Sequence, residues 1–463
     1  MNRTNDTRNL LLVLLVISLG FFLLHAGQLD RRLPGEIVTS EGKFDLAACY
    51  LDFFPNALHA FFFVCLFLLV HAFLSKRVPG FDSVLLSAVA LLAGVGSIVI
   101  LRLAPDLAIA RNDAIQGILA RNPGAQVTRN VATLAQLGLK HFSSVVLGGL
   151  LLILPSCFGR RWITGLSSRK YLWILLAVVL TALTLLFGTR INGRRLWLFG
   201  FQTVELVKLL MVLFMAGYIY ERGKGMAVYG GSSIRMWGQY AVPFSLMCFF
   251  SLVPLVIQGD LGPTVLLFCV FLVMFHYSGN PGSATTFFIL LLGIAGYVSY
   301  AAGWPAVVRQ RIDILLDPFG RSESMSRVLW AISSGGILGS GIGYGQSYRI
   351  PEVQSDFSFA AVCEEMGFIG AAAILLSYAV LLARCFKVAA RLESAYDKAL
   401  VTGIAALIGI QSFMIVCGNL GGLPLTGITL PFVSHGGSSL AVYFFMIGIV
   451  IRLSGKTGGG NEA

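Results

Sequence analysis

Charged side chains are scarce: Asp, Glu, Lys and Arg make up only 12% of the 463 residues, about half the share in ordinary soluble domains. Polar linkers are missing too, although a soluble chain of this length would form roughly three domains. Together these absences exclude a soluble enzyme and a disordered chain. Cysteine is sparse and unpatterned. Cys65, Cys157, Cys248, Cys269, Cys363, Cys385 and Cys417 lie in or beside apolar runs, and only Cys49 falls in a long loop. No CxxC or Cys/His spacing marks a disulfide framework or a metal site. The first apolar run follows Arg3 and Arg8 without a small-residue cleavage site, so it reads as a retained helix. No internal repeat and no paired broken helices of an inverted-repeat transporter stand out.

What the chain has instead is apolar length. Hydrophobic residues make up 56% of it and the mean hydropathy is +0.81. Runs near the ~20 residues needed to cross a bilayer predict twelve membrane helices, at about 10–27, 57–74, 83–104, 142–158, 171–188, 199–219, 241–257, 263–278, 284–303, 357–384, 399–419 and 434–452. The runs do not alternate, which excludes a β-barrel. The expected fold is therefore all-α, a polytopic membrane helix bundle. A net charge of +12 fits basic membrane loops rather than nucleic acid. Short loops carry Lys76 and Arg77, then Arg160, Arg161, Arg169 and Lys170, then Arg384, Lys387 and Arg391 on one side, which predicts both termini in the cytoplasm. The long loops 28–56, 105–141 and 304–356 fall outside, and 304–356 is the longest polar stretch.

Charge inside such helices costs roughly 2.5–3.5 kcal/mol per residue on insertion scales, so the exceptions are informative. Glu205 and Lys208 share a helix face at i, i+3, with Gln202 a turn earlier; an ion pair within the bundle is the plain alternative to a working site. Asp260, in the break Gln258-Gly259-Asp260-Leu261-Gly262-Pro263, stands where a helix N-cap would. Asp356 opens a long apolar run in another such position, and Glu364 and Glu365 follow two turns later. Adjacent carboxylates cannot share one helix face, so at least one needs a partner elsewhere or a proton. The segment Pro431 to Ser439 holds Ser434, His435, Gly436, Gly437, Ser438 and Ser439. Its backbone N–H groups could hold an anionic oxygen, or a serine could simply cap a helix there. The glycine-rich run 333–345 lacks the G-K-[ST] ending of a phosphate-binding loop.

In order along the chain these motifs resemble the SEDS family (shape, elongation, division and sporulation) of the RodA, FtsW and SpoVE type. The family's R-R-W…F-Q-P-S-E-x-x-K resembles Arg194, Arg195 and Trp197 with Phe201-Gln202-Thr203-Val204-Glu205-Leu206-Val207-Lys208. Q-P-D-L-G resembles Gln258-Gly259-Asp260-Leu261-Gly262, and R-V/I-x-x-x-L-D-P is similar to Arg311-Ile312 through Leu316-Asp317-Pro318. A-I-G-S-G-G is similar to Ala331 through Gly336, and L-P-E-x-x-T-D-F to Ile350-Pro351-Glu352 through Phe357. The closing L-P-F-V-S-Y-G-G-S-S is nearly intact up to Ser439, with His435 in place of tyrosine. Thr203, Val204, Gly259 and Ser355 also depart from the pattern, and a glutamine-bearing segment near Ser324 and Arg327 is missing. The carboxylates and Lys208 are kept.

The resemblance implies a ten-helix core at 81–455, bearing the loop 304–356 outside, behind a two-helix extension at 1–80 like that of the longer actinobacterial-type members, with a cytoplasmic tail at 456–463. It implies a peptidoglycan glycosyltransferase of the cytoplasmic membrane that polymerises lipid II at the outer face, with undecaprenyl diphosphate leaving. Asp356 would be the catalytic base. Glu205, Lys208, Asp260, Arg311, Arg195 and the loop residues Ser434, Gly436, Gly437, Ser438 and Ser439 would hold substrate. A class B penicillin-binding protein would be the partner. No metal site or cofactor is evident, and a divalent cation bridging the diphosphate is compatible with the reading. A lipid II flippase, or a non-catalytic scaffold of a cell-wall synthesis complex, stays open as an alternative.

Overall fold

The computed structural model describes residues 3–30, 46–121, 136–191, 194–229, 242–279 and 282–455. Twelve apolar helices occupy the twelve expected places, because lipid offers backbone groups no partners and helices satisfy them internally. They are α1 (Arg3–Asp30), α2 (Leu46–Arg77), α3 (Ser83–Arg121), α4 (Leu137–Cys157), α6 (Lys170–Phe187), α7 (Thr203–Tyr229), α8 (Val242–Ile257), α9 (Leu261–Tyr277), α10 (Gly282–Ala302), α14 (Ser358–Arg391), α15 (Ala395–Asn419) and α16 (Gly437–Ser454). Ten of these stretches are long and apolar enough to cross a membrane; α8 and α9, of 16 and 17 residues, fall short. They flank the Gln258–Gly262 break, which shortens both. The short α5 (Arg160–Gly165) leads into α6.

Three expectations need correction. Residues 105–121, read as loop, continue α3 as helix through Pro105, while 122–135 and the tail 456–463 lie outside the described residues. Cys49 lies in α2 rather than in a loop; its side chain, and residues 31–45, lie outside the described set. The polar stretch 304–356 is not an open loop: it folds into α11 (Ala306–Leu316), α12 (Pro318–Arg321) and α13 (Glu323–Ser334). Between α6 and α7 the chain also makes a small antiparallel sheet, β1 (Thr189–Ile191), β2 (Arg194–Leu198) and β3 (Phe201–Gln202), in that order.

Helices α3, α7, α15 and α16 are mostly buried at the centre, whereas α10 is almost wholly exposed at the edge. Close crossings are made by glycine. A Cβ on Gly448 of α16 would lie 2.2 Å from the Leu152 carbonyl oxygen of α4, and one on Gly94 of α3 would lie 2.4 Å from Ile17 of α1. Near its N-terminal end α14 is broken at Gly367, whose φ of +63° no ordinary side chain favours. A broken helix inside a membrane frees backbone groups that need partners. The glycine run supplies them: Ser340 N donates to Glu364 O at 2.8 Å and Gly341 N to Glu365 O at 3.1 Å. In return Phe368 N donates to Gly336 O at 2.9 Å and Ile369 N to Ile337 O at 3.2 Å. Gly335 and Gly339 must be glycine, since a Cβ on either would lie within 2.2 Å of a carbonyl oxygen of α14. The glycine-rich run is thus the brace of a broken helix.

Because the Leu152 carbonyl cannot retreat from the helix crossing, Gly448→Ala is expected to destabilise the fold by about 1–3 kcal/mol, as overpacking does. Gly293→Ala, on exposed α10 with nothing within 4 Å of the new atom, should leave the thermal midpoint in detergent unchanged. Equal midpoints for the two variants would contradict this packing.

Candidate functional site

Asp356 does not cap α14. The helix begins at Ser358 with Phe357 as its N-cap and no side-chain capping bond. The Asp356 backbone is fixed instead, its N–H donating to Glu352 O at 3.0 Å and its carbonyl accepting from Asn419 Nδ2 at 3.1 Å. Glu352, at φ +56°, turns the chain just ahead of the carboxylate. The carboxylate meets Gly427, where an added Cβ would lie 3.7 Å from Asp356 Oδ2 and 3.5 Å from Arg311 Nη2. One glycine thus separates the carboxylate from a guanidinium delivered by α11. Asp260 joins from the start of α9, again without a side-chain capping bond. Its loop is held against this segment by Gly262, which leaves room for the Thr426 carbonyl 2.2 Å from where a Cβ would stand.

Burial raises the Asp356 carboxyl to about 6, helped by the negative charges of Glu352 and Asp260 and opposed by a hydrogen bond from Ser355 and by Arg311. A carboxylate in that range is mostly ionised at neutral pH yet still basic enough to accept a proton, which suits a general base.

A second cluster lies deeper. Lys208 is fully buried and its Nζ lies 2.7 Å from Glu205 Oε2. It also donates to Gln411 Oε1 at 2.9 Å and to the Tyr443 hydroxyl at 3.2 Å. Gln411 passes the chain on, donating to Thr429 O at 2.6 Å, and Thr429 Oγ1 donates to Ser439 Oγ at 2.8 Å. Lys208 is therefore saturated by protein groups, and its reach extends to the 427–439 segment through hydrogen bonds rather than through space. Lys208 thus pairs with Glu205, while Asp260 lies within electrostatic reach of Asp356.

The remaining expected residues divide similarly. Arg195, on β2, donates to the Leu185 and Leu186 carbonyls at the end of α6, the place where a cation offsets a helix C-terminus. Ser434 shares a hydrogen bond of 2.6 Å with Ser358 and accepts one from Leu430 N, so it ties the last loop to α14. Gly436 is the N-cap of α16 and no side chain caps that helix; Gly437, Ser438 and Ser439 form its first turn. The serine-cap alternative fails there, as capping fails for Asp260 and Asp356.

Sequence reasoning missed Arg102. It is almost fully buried in α3, its Nε 2.9 Å from Glu365 Oε1, its Nη1 2.6 Å from Asp106 Oδ2, and its Nη2 donating to Gly345 O at 2.8 Å. Glu364 accepts from Gln346 N at 2.8 Å. Both adjacent carboxylates thus have protein partners and brace the glycine run. Gln411 and Tyr443 were also missed; a lone glutamine within an apolar run was the available signal. A cavity of about 1140 Å³ lies at the other end of the bundle among Asp82, Arg160, Arg161, Arg391 and Asp397, away from Asp356 and Asp260. A smaller cleft of about 420 Å³ runs along α11 beside Arg309, Asp313 and Arg321. Among the described residues no three His, Cys, Asp or Glu side chains converge as a metal centre would need.

The sequence model of the FtsW/RodA/SpoVE family, described as cell cycle protein, matches residues 124–458. A probable peptidoglycan glycosyltransferase FtsW of Thiomicrospira cyclica is 36% identical over 319 residues, covering 66% of this chain and 78% of that one. The peptidoglycan glycosyltransferase RodA of Mycobacterium tuberculosis is 29% identical over 406 residues, 85% of this chain and 82% of its own. Among solved structures, one from work on the structural coordination of polymerization and crosslinking by a peptidoglycan synthase complex aligns with TM-score 0.62 at 26% identity, over 81% of this chain and 98% of that one. The crystal structure of the Thermus thermophilus rod shape determining protein RodA aligns with TM-score 0.55 at 25% identity, over 81% and 97%.

A buried ammonium with three polar neighbours predicts a sharp asymmetry. Lys208→Met should cost about 3–5 kcal/mol, because it strands the Glu205 carboxylate, and adding Glu205→Gln should recover much of that. Thermal melts of the two variants in detergent decide it; an additive loss would contradict the pairing.

Proposed function

This chain belongs to the FtsW/RodA/SpoVE family of cell cycle proteins, and we propose from that membership and from the Asp356–Arg311–Asp260 cluster that it is a peptidoglycan glycosyltransferase polymerising lipid II. It is a multi-pass membrane protein. In our reading residues 1–80 are an N-terminal extension and 81–455 the polymerase core. Both termini face the cytoplasm and Asp356 faces outward, where the lipid-linked sugar is displayed.

The reaction joins two sugars and releases a lipid diphosphate. A hydroxyl of one lipid II unit attacks the anomeric carbon of the other; the new C–O bond forms as the bond to the diphosphate oxygen breaks. The proton leaving the hydroxyl goes to the Asp356 carboxylate, and such assistance is typically worth about 10²–10⁴-fold. Negative charge grows on the departing diphosphate, and Arg311, on the far side of Gly427, offsets it. Asp260 tunes this pair electrostatically. The Lys208 network holds the 427–439 segment in place without touching substrate. A class B penicillin-binding protein is the expected partner, since one structural relative comes from a synthase complex that couples polymerisation to crosslinking.

The observation carrying this reading is a carboxylate that caps nothing, set beside a guanidinium at the membrane edge. Purified protein, alone or with its transpeptidase partner, should form glycan strands from lipid II, and Asp356→Ala should reduce the rate at least 100-fold; a wild-type rate in the variant would remove Asp356 as the base. The pH profile gives a separate check. Asp356 must be ionised to accept a proton, so the rate should fall as pH drops through about 6. Removing the Glu352 charge with Glu352→Gln eases ionisation and should move that acid limb to lower pH. An unmoved or raised limb would contradict the cluster.

A further inference from the structure

Two histidines that the mechanism does not use meet beside the last loop. His141, on α4, is fully buried, and neither of its ring nitrogens has a hydrogen-bond partner. Its ring packs against that of His435, the centroids 5.7 Å apart, and His435 Nδ1 is likewise buried without a partner. A buried polar atom left unpaired costs about 1–3 kcal/mol, and an imidazole unpaired at both nitrogens implies that something else bonds there. His435 directly precedes Gly436, the N-cap of α16. That helix is 18 residues long, its first turn is Gly437, Ser438 and Ser439, and no side chain caps it. Its leading N–H groups point outward with the positive end of the helix dipole.

The surroundings share one sign. Lys140 is close enough that its charge, after burial, helps hold His435 down at about 4, so the imidazole is neutral and one of its nitrogens can donate. Ser144 Oγ stands 3.1 Å from where a Gly437 Cβ would be, so the glycine keeps the helix start open beside a hydroxyl. Backbone N–H groups, an ammonium and the N–H of a neutral imidazole form a donor set that suits a phosphate oxygen; the Ser144 hydroxyl already donates to Lys140 O at 2.8 Å and lines the place without adding a donor.

This place is separate from the Arg311–Asp356 cluster yet tied to it. Gly427 touches that cluster, and Thr429, two residues on, contacts Gly436 (3.1 Å to the Cβ position) and bonds Ser439. Two residues span at most about 7 Å, so the two places are neighbours along one segment. Resting on the glycosyltransferase reading, we propose that the α16 N-terminus, with Lys140, His141 and His435, is a second diphosphate subsite that holds one lipid-linked substrate while Arg311 serves the diphosphate that leaves. Polymerisation needs two such substrates at once, each carrying its own diphosphate. His435 stands where the family pattern has tyrosine; both are uncharged donors on a ring, and the exchange keeps the function of the position.

The test measures undecaprenyl diphosphate binding to the full-length protein in detergent by titration calorimetry, beside lipid II polymerisation. Lys140 is exposed, so Lys140→Glu should fold, and it should weaken binding about tenfold or more, as loss of a charge-assisted bond does. His435→Phe keeps the ring, removes the donor and should weaken binding several-fold, with a matching rise in KM for lipid II. Leu139→Ala, an exposed neighbour on α4, should change neither. If wild type polymerises while both subsite variants bind as wild type does, the subsite is wrong and the glycosyltransferase stands. If folded wild type neither binds the lipid diphosphate nor polymerises, both fall.

Discussion

A bilayer cannot hydrogen-bond. Every charge and every interrupted backbone group inside this bundle must therefore find its partner in the protein, and that constraint organises the structure from the first helix to the last. Arg102 is surrounded by Glu365, Asp106 and the Gly345 carbonyl. Lys208 is surrounded by Glu205, Gln411 and Tyr443. The break at Gly367 is covered by the glycine run, bond for bond. These are structural solutions to a solvent problem. They brace the end of the bundle that carries Asp356, and fixed geometry matters at a reactive site, since misplacement by an ångström is costly in catalysis.

Asp356, Asp260 and the first turn of α16 all stand where helix caps are expected, and none of the side chains caps. Asp356 and Arg311 flank Gly427, and Asp260 lies within electrostatic reach of Asp356. Burial lifts Asp356 to about 6. Lys208 contributes at one remove: through Gln411 and Thr429 it fixes the segment on which both the carboxylate cluster and the helix start depend.

Much of this was legible in the sequence because membrane insertion leaves a coarse signal. Apolar runs give all twelve helices, and the rarity of charge makes Glu205, Lys208, Asp260 and Asp356 stand out. The misses have physical reasons. Helix α3 continues through Pro105 because a proline in a membrane helix is tolerated where neighbours satisfy the freed carbonyl. Helices α11 to α13 were hidden because a short amphipathic helix carries no long apolar run. Arg102 sits at the end of its apolar run, where an arginine reads as a loop cation; only the packing of α3 on α14 turns it inward. The division of the polar residues into a deep ion pair and an outer reactive pair depends on which helices touch, and spacing along one helix cannot report that.

The central claim is that lipid II meets Asp356 and Arg311 at the outer end of the bundle. A structure of the Asp356→Asn protein with lipid II bound tests it most directly. The account predicts the side chain of residue 356 within about 3 Å of a sugar hydroxyl, with a diphosphate against Arg311. Lipid II bound instead in the large cavity beside Arg160 and Arg391, at the opposite end, would contradict it and point to transport across the membrane rather than polymerisation.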